Sequence, residues 1–151
     1  MKTKFLLTSL ACLVLFVSLV SFLPSSNDSL VDNVLTYTNK FRKSRGLPAL
    51  EMRGDLNTIA QKHTKNMATG KTRFGHDGFD NREAQARKLL TGSSHFAENV
   101  AYGSTTGKDV VEGWKKSSGH RRNLLGSYKY IGIGVATNRK GIIYYTQIFV
   151  D

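Results

Sequence analysis

The chain has 151 residues, of which 40% are hydrophobic, 10% aromatic and 22% charged. This length predicts one domain, and the composition excludes collagen-like, coiled-coil and disordered chains. The single cysteine, Cys12, lies in an apolar N-terminal segment. The rest of the chain can therefore form neither a disulfide scaffold nor a cysteine-based zinc site.

The first 24 residues predict a targeting segment. A short basic start is followed by an apolar run from Phe5 to Leu23, which is typical of an export signal. The run is also close to the length that a bilayer-spanning helix needs. Two interpretations stay open, a cleaved signal peptide or a retained membrane anchor over residues 1–24. Both place residues 25–151 outside the cytoplasm, either secreted or held at the membrane.

The net charge is strongly positive. The leader carries two basic residues and no acidic residue, so the net charge falls from +11 to +9 without it. Such a charge promotes contact with anionic polymers, and for an exported protein we expect those of the cell envelope. The sequence shows no nucleic-acid motif and no run of interleaved aromatic and basic residues. We therefore expect no specific nucleic-acid partner.

Apolar residues at helical spacing predict four helices. The first carries Leu30, Val34, Tyr37 and Phe41 on one face. The four helices begin near Asp28, Leu56, Arg82 and Lys108 and end near Gly46, Gly70, Gly92 and Ser117.

Three strands follow from short apolar segments. The first covers Phe96 to Tyr102, and Tyr128 to Thr137 forms a hairpin with Ile142 to Val150 around residues 138–141. Both faces of the last strand are apolar, which predicts helices on both sides of it. Helices first and a mostly antiparallel sheet at the end indicate an α+β sandwich.

The four histidines differ in their surroundings. His63 lies on the apolar stripe of the second predicted helix, which favours a packed or hydrogen-bonded structural role. His95 lies in a polar loop and is predicted to be solvated. His76 and His120 each follow a glycine in a loop, which lets the imidazole project without crowding. They either share a site or are separate surface residues.

Several segments in order resemble one family. The segments are NxxR (39–42), GLPAL (46–50), GH (75–76), AENVAYG (97–103), VVxxWxxSxGHRxNLL (110–125), IGIGV (131–135) and YTQxF (145–149). Together they are similar to the CAP superfamily, also called SCP/TAPS, which is named after cysteine-rich secretory proteins, antigen 5 and pathogenesis-related proteins. The resemblance covers residues 29–151 and fits the short, cysteine-free bacterial branch. It implies a CAP domain over residues 25–151 with a three-layer α-β-α sandwich.

The resemblance also implies a central cleft that holds two histidines and two acidic residues. His76, Glu98 and His120 match three of those positions. The fourth, a glutamate in eukaryotic members, is Ser117 here. Glu112 is the nearest acid, but it shares a helix face with lysines and is predicted to point toward solvent.

Other residues that match the family pattern are predicted to support the site or the fold. Arg82 and Gln147 are expected to stand behind the cleft residues. Asn39, Arg42 and Asn99 are predicted to hydrogen-bond loops or helix ends, and Trp114 to anchor the core.

Two neutral imidazoles are suitable ligands for Zn²⁺ or a similar divalent metal. His76 and His120 are thus candidate metal ligands. Glu98 would be either a third ligand or an acceptor that fixes a histidine tautomer. The alternative is a hydrogen-bonded cluster of His76, Glu98, Ser117 and His120 with no metal.

Three functional classes follow. The first, which we favour, is a monomeric, non-enzymatic module that binds a divalent metal, or a lipid or other small hydrophobic ligand, at the cell envelope. Lipid binding is implied by the resemblance. The second is a hydrolase, either metal-assisted or using Ser117 or Ser118 with His120 and Glu98. The chain has no G-x-S-x-G motif, which disfavours the serine version. The third is a basic adhesion protein of the cell surface.

Overall fold

The computed structural model describes residues 26–151. It contains five helices and four strands. In chain order they are α1 (Ser26–Lys43), β1 (Glu51–Met52), α2 (Gly54–Ala68), α3 (Phe79–Leu89), β2 (Phe96–Tyr102), α4 (Gly107–Lys116), α5 (Ser118–Leu124), β3 (Tyr130–Thr137) and β4 (Ile143–Val150). The predicted targeting segment, residues 1–24, lies outside the described residues.

The strands form one sheet in the order β1-β3-β4-β2. Strands β3 and β4 are an antiparallel hairpin, and β2 pairs antiparallel with β4. The short β1 pairs parallel with β3. The sheet is therefore mostly antiparallel, as the sequence predicts, and β2 is an edge strand.

Helices cover both faces of the sheet, which confirms the three-layer α-β-α sandwich. One core cluster joins α1 and α4 to the face that carries Tyr145 and Phe149. The other joins α2 and α3 to the opposite face, which carries Ile148 and Val150. Alternate residues of β4 thus enter different cores, which explains why both faces of this strand are apolar.

Two glycines of β3 let α2 approach the sheet. A Cβ added to Gly132 would lie 2.4 Å from the backbone carbon of Leu56, and one added to Gly134 would lie 2.5 Å from that of Ala60. Both distances are shorter than atoms tolerate, so only glycine fits here. The close contact fixes the position of α2 and of the site residue that it carries.

Buried polar side chains tie the loops to α1. Arg42 is buried and donates to the backbone oxygens of Pro48, Leu124 and Gly126 at 2.8–3.0 Å. The Asn39 amide makes two hydrogen bonds with the backbone of Leu50. The predicted structural roles of Asn39 and Arg42 are confirmed. Trp114 is also buried and donates from Nε1 to a backbone oxygen of β2, as expected of a core anchor.

The observed elements differ from the predicted ones in two main ways. Helix α3 begins at Phe79, one turn before the predicted start at Arg82, because Gly78 adopts a left-handed conformation at its N-cap. Helix α5 and strand β1 are not predicted from the sequence. Helix α5 has seven residues and contains a glycine, and β1 has two residues. Neither is long enough to show a hydrophobic period.

Candidate functional site

Glu98 lies at the centre of the candidate site. Strand alternation places its side chain on the sheet face that α2 and α3 cover. The side chain is fully buried. Burying a carboxylate is costly unless charged or polar groups surround it, so its partners define the site.

Arg82 of α3 is the main partner of Glu98. Its Nε lies 2.5 Å from Glu98 Oε2, and its Nη2 lies 2.7 Å from Oε1. This is the two-pronged geometry that guanidinium and carboxylate groups favour. Arg82 Nη1 also donates to the backbone oxygen of Asp77 at 2.8 Å. The buried pair therefore joins β2, α3 and the loop that precedes α3.

His76 contacts the same carboxylate from the loop between α2 and α3. Its Nδ1 lies 2.8 Å from Glu98 Oε1, and about half of its side chain is exposed (48%). Because a carboxylate only accepts hydrogen bonds, Nδ1 must carry the proton. The neutral ring then has its lone pair on Nε2. Glu98 thus fixes the tautomer that leaves Nε2 able to bind a ligand.

His63 of α2 holds the loop before His76 through a hydrogen bond. Its Nε2 lies 2.9 Å from the backbone oxygen of Gly75 and 4.0 Å from Glu98 Oε1. Burial, and then the positive charge of Arg82, lower the pKa of the His63 imidazole. A neutral, buried His63 that donates to Gly75 agrees with the structural role that the sequence predicts. The sequence did not predict its closeness to Glu98.

His120 reaches the site from α5, on the other side of the edge strand. Its backbone oxygen accepts from Asn99 Nδ2 at 3.3 Å, and Asn123 of the same helix donates to the backbone oxygen of Glu98 at 3.1 Å. Burial, and then the proximity of His76, lower the pKa of the His120 imidazole. The structure therefore holds α5, which carries His120, against β2 next to Glu98 and Asn99.

Gln147 is connected to His120 by hydrogen bonds of the Asn99 amide. The Gln147 amide donates to Thr38 Oγ1 at 2.8 Å and accepts from Asn99 Nδ2 at 3.3 Å. Asn99 in turn accepts from Asn123 Nδ2 at 2.9 Å. This buried network connects α1, β4, β2 and α5. Gln147 is thus linked to the backbone of His120 through Asn99. Arg82 is linked to the imidazole of His76 through Glu98.

Ser117 and Glu112 contribute little to this arrangement. Ser117 lies at the junction of α4 and α5, and its side chain caps neither helix. Among residues 26–151, no hydrogen bond links Ser117 or Ser118 to His120. Glu112 pairs with Lys115 at 2.6 Å on the outer side of α4, as its predicted orientation requires.

The donor set that is left for a metal is small. Glu98 already accepts three hydrogen bonds, so its geometry is that of an acceptor that orients His76 rather than of a ligand. Within the described part of the chain, no three His, Cys, Asp or Glu side chains are grouped so that they could hold a metal ion. The predicted metal ligands His76 and His120 therefore have no third His, Cys, Asp or Glu ligand grouped with them among residues 26–151.

Comparison with known proteins decides the family. Residues 35–149 match the CAP family, described as the cysteine-rich secretory protein family. The chain belongs to the CAP family. The matched segment contains every residue of the site described above.

Two curated relatives are proteins of Bacillus subtilis strain 168. The chain is 36% identical to the uncharacterized membrane protein YlbC over 121 residues, which are 78% of this chain and 33% of that protein. It is 30% identical to the uncharacterized protein YkwD over 118 residues, which are 74% of this chain and 44% of that protein. This CAP chain thus spans less than half the length of either relative.

Two solved structures share the fold of this CAP domain. One is a cysteine-rich secretory protein from Staphylococcus aureus, with a TM-score of 0.68 and 28% identity, covering 83% of this chain and 39% of that one. The other is an extracellular protein containing an SCP domain from Bacillus anthracis, with a TM-score of 0.70 and 27% identity, covering 82% and 41%. Among residues 26–151, no helix has the length and hydropathy of a membrane span.

Proposed function

We propose that this chain is an exported CAP-domain binding module whose cleft binds a divalent metal ion such as Zn²⁺ through His76 and His120. The observation that carries the proposal is the 2.8 Å contact between His76 Nδ1 and the buried Glu98 carboxylate. A carboxylate that holds the far nitrogen of an imidazole is the usual support of a metal-binding histidine. Two protein ligands are fewer than a tight zinc site uses, so we expect weak binding.

Export is the second part of the proposal. The basic and apolar N-terminal segment supports it, and so does the extracellular Bacillus anthracis protein that shares this fold.

The chemistry of the two histidines agrees with metal binding near neutral pH. Metal ligands must be deprotonated, and burial favours the neutral form of His120. When bound, the metal would supply a positive charge that attracts an anionic or carbonyl oxygen. The chain itself holds His76 in one tautomer and positions His120 through the Asn99 amide.

Calorimetric titration of the metal-free protein with Zn²⁺ at pH 7.5 tests the proposal. We expect saturable binding that is lost in both His76→Ala and His120→Ala. His95→Ala is the matched control, because His95 is an exposed histidine that pairs with Asp151 instead. Equal binding by all four proteins, or no binding by the unchanged protein, would overturn the metal proposal.

The other ligands and activities have less support from the geometry. The cavity nearest the site, of about 350 Å³, is bordered by polar residues, among them Lys62, Asn66 and Gln85. That chemistry favours a polar ligand over a lipid. A serine hydrolase would need a contact between Ser117 or Ser118 and His120, and the described residues provide none.

Adhesion to anionic envelope polymers remains the alternative, because the net charge without the leader is strongly positive. Salt-sensitive binding to cell-wall polymer by a protein that binds no Zn²⁺ would favour it over the metal proposal.

A further inference from the structure

Three aromatic side chains form a cluster on the surface where β2 ends and β4 begins. The ring centre of Tyr102 lies 4.7 Å from that of Phe74 and 5.6 Å from that of Tyr144. Phe74 and Tyr102 are 47% and 55% exposed. We call Phe74, Tyr102 and Tyr144 the aromatic platform.

The backbone holds the platform in place. Tyr102 and Tyr144 are register partners on adjacent strands, so their rings stack across the sheet edge. Phe74 comes from the loop after α2 and contacts both tyrosines edge-on. Rings that are fixed by one another yet remain exposed lose little freedom on binding. Exposed aromatic rings that are grouped in this way form a candidate interaction surface.

A groove with two cationic side chains adjoins the platform. Tyr144 borders this groove, of about 520 Å³, together with Thr69, Asn138, Arg139 and Lys140. Neither Arg139 nor Lys140 has an ion-pair partner within residues 26–151. Apolar ring faces therefore lie beside hydrogen-bonding groups and two uncompensated positive charges.

We propose that the aromatic platform and its groove bind an anionic polysaccharide. The C–H groups of a sugar ring pack against an aromatic face, because that face carries the negative end of the ring quadrupole. Sugar hydroxyls match Thr69 and Asn138, and acidic groups on the sugar match Arg139 and Lys140. The proposal rests on the export part of the proposed function, which places the chain where such polymers occur, but not on metal binding.

The chemistry of the surface favours a sugar over other polyanions. Two of the three rings carry a hydroxyl group, and the groove adds the polar side chains of Thr69 and Asn138. Met67 also borders the groove, but it is buried and could not enter a bilayer. Nucleic acid could also stack on such rings, but it is not the expected polymer outside the cell.

The direction of β2 favours an extended ligand. Glu98 and Tyr102 lie on the same face of the strand, four residues apart, which corresponds to about 13 Å. The platform and the candidate site therefore lie on the same side of the sheet. We expect a polymer on the platform to extend toward His76.

The test measures binding of a galacturonate hexasaccharide to the purified protein by calorimetry at two salt concentrations. We expect Tyr102→Ala combined with Tyr144→Ala to weaken binding by roughly tenfold or more, since two stacking contacts are lost. Arg139→Ala combined with Lys140→Ala should weaken it and reduce its salt dependence. Leu89→Ala, an exposed apolar residue elsewhere (45%), is the matched control and should bind as the unchanged protein does.

Further arms distinguish the possible failures. Tyr102→Phe with Tyr144→Phe keeps the rings and should keep most of the binding, so a folding defect in the alanine variant is recognised. The alanine variant should still bind Zn²⁺ if the unchanged protein does, which separates this proposal from the metal proposal. Equal binding of the hexasaccharide by the alanine variant and by the unchanged protein would overturn the proposal. So would ring-dependent binding of a thymidine oligonucleotide or of anionic lipid vesicles without any binding of the hexasaccharide.

Discussion

His76 Nδ1 and Glu98 Oε1 lie 2.8 Å apart, although half of the histidine is exposed and the carboxylate is fully buried. The contact links a surface imidazole to an interior charge that Arg82 already balances. Glu98 therefore acts on His76 as an orienting acceptor and leaves Nε2 free, which is the atom that we propose as the metal ligand. The same carboxylate stabilises the fold and prepares the histidine.

Removing Arg82 should strongly destabilise the protein. Arg82→Ala leaves the Glu98 carboxylate buried without its cation, which typically costs about 3–5 kcal/mol. Urea unfolding at pH 7.5 measures the change, and Lys88→Ala on the exposed side of α3 is the control that should leave the midpoint unchanged.

A double variant shows whether the unpaired Glu98 carboxylate causes the loss of stability in Arg82→Ala. Arg82→Met combined with Glu98→Gln removes both charges, so it should recover part of the stability that Arg82→Ala loses. The single variants Arg82→Met and Glu98→Gln are measured beside it. If the double variant loses as much stability as these two variants together, the pair is not coupled and this account of the buried carboxylate is wrong.

Alanine substitution should lower the stability of the protein at two glycines of β3 and raise it at a glycine of α4. Gly132→Ala and Gly134→Ala should each destabilise the fold, by about 1–3 kcal/mol or more, because the added methyl meets the backbone of α2. Gly113→Ala in α4 has no atom within 4 Å of the new Cβ and should stabilise the protein by about 0.5–1 kcal/mol. Thermal unfolding of the three variants checks both signs, and a stabilising Gly132→Ala would show that α2 packs differently.

The stability of the protein should fall in mild acid. The pKa of folded His63 lies below the unfolded value of 6.5 because the ring is buried. As the pH drops below about 6.5, His63 becomes protonated in the unfolded chain before it does so in the folded protein. The full contribution of neutral His63 to stability is therefore present above this pH and is lost as the pH falls toward the folded pKa. The His120 imidazole has a lowered pKa for the same reason and contributes in the same direction.

Unfolding at pH 7.5 and pH 5.5 tests this dependence. His63→Gln can still donate a hydrogen bond but does not titrate, so its loss of stability between the two pH values should be smaller than that of the unchanged protein. His95→Gln, which alters an exposed histidine, should keep the full loss. Identical losses in His63→Gln and the unchanged protein would exclude His63 as a source of the acid sensitivity.

The sequence predicts the fold well where elements are long and periodic. Helix α2 and strands β3 and β4 show their patterns over eight residues or more, and the turn at Asn138–Gly141 follows from its composition. The short elements α5 and β1 depend on neighbours that are distant in sequence, and no local pattern reveals them. Helix α5 matters most, because it carries His120.

The candidate site could be predicted only in part. The resemblance to the CAP family identified His76, Glu98 and His120, but not the contacts among them. The position of His63 on an apolar stripe predicted its burial correctly, whereas its distance from Glu98 depends on how α2 packs against the sheet. The aromatic platform joins residues 74, 102 and 144, and only strand pairing brings them together.

The most direct test of the account is the ring nitrogen spectrum of ¹⁵N-labelled protein, recorded by NMR at pH 7.5 with and without Zn²⁺. We predict that His76 carries its proton on Nδ1, and that Zn²⁺ shifts the Nε2 resonance of His76 together with one ring nitrogen of His120. His95 should keep its spectrum. A proton on Nε2 of His76, or ring resonances of His76 and His120 that Zn²⁺ leaves unchanged, would contradict the claim that Glu98 prepares His76 to bind a metal.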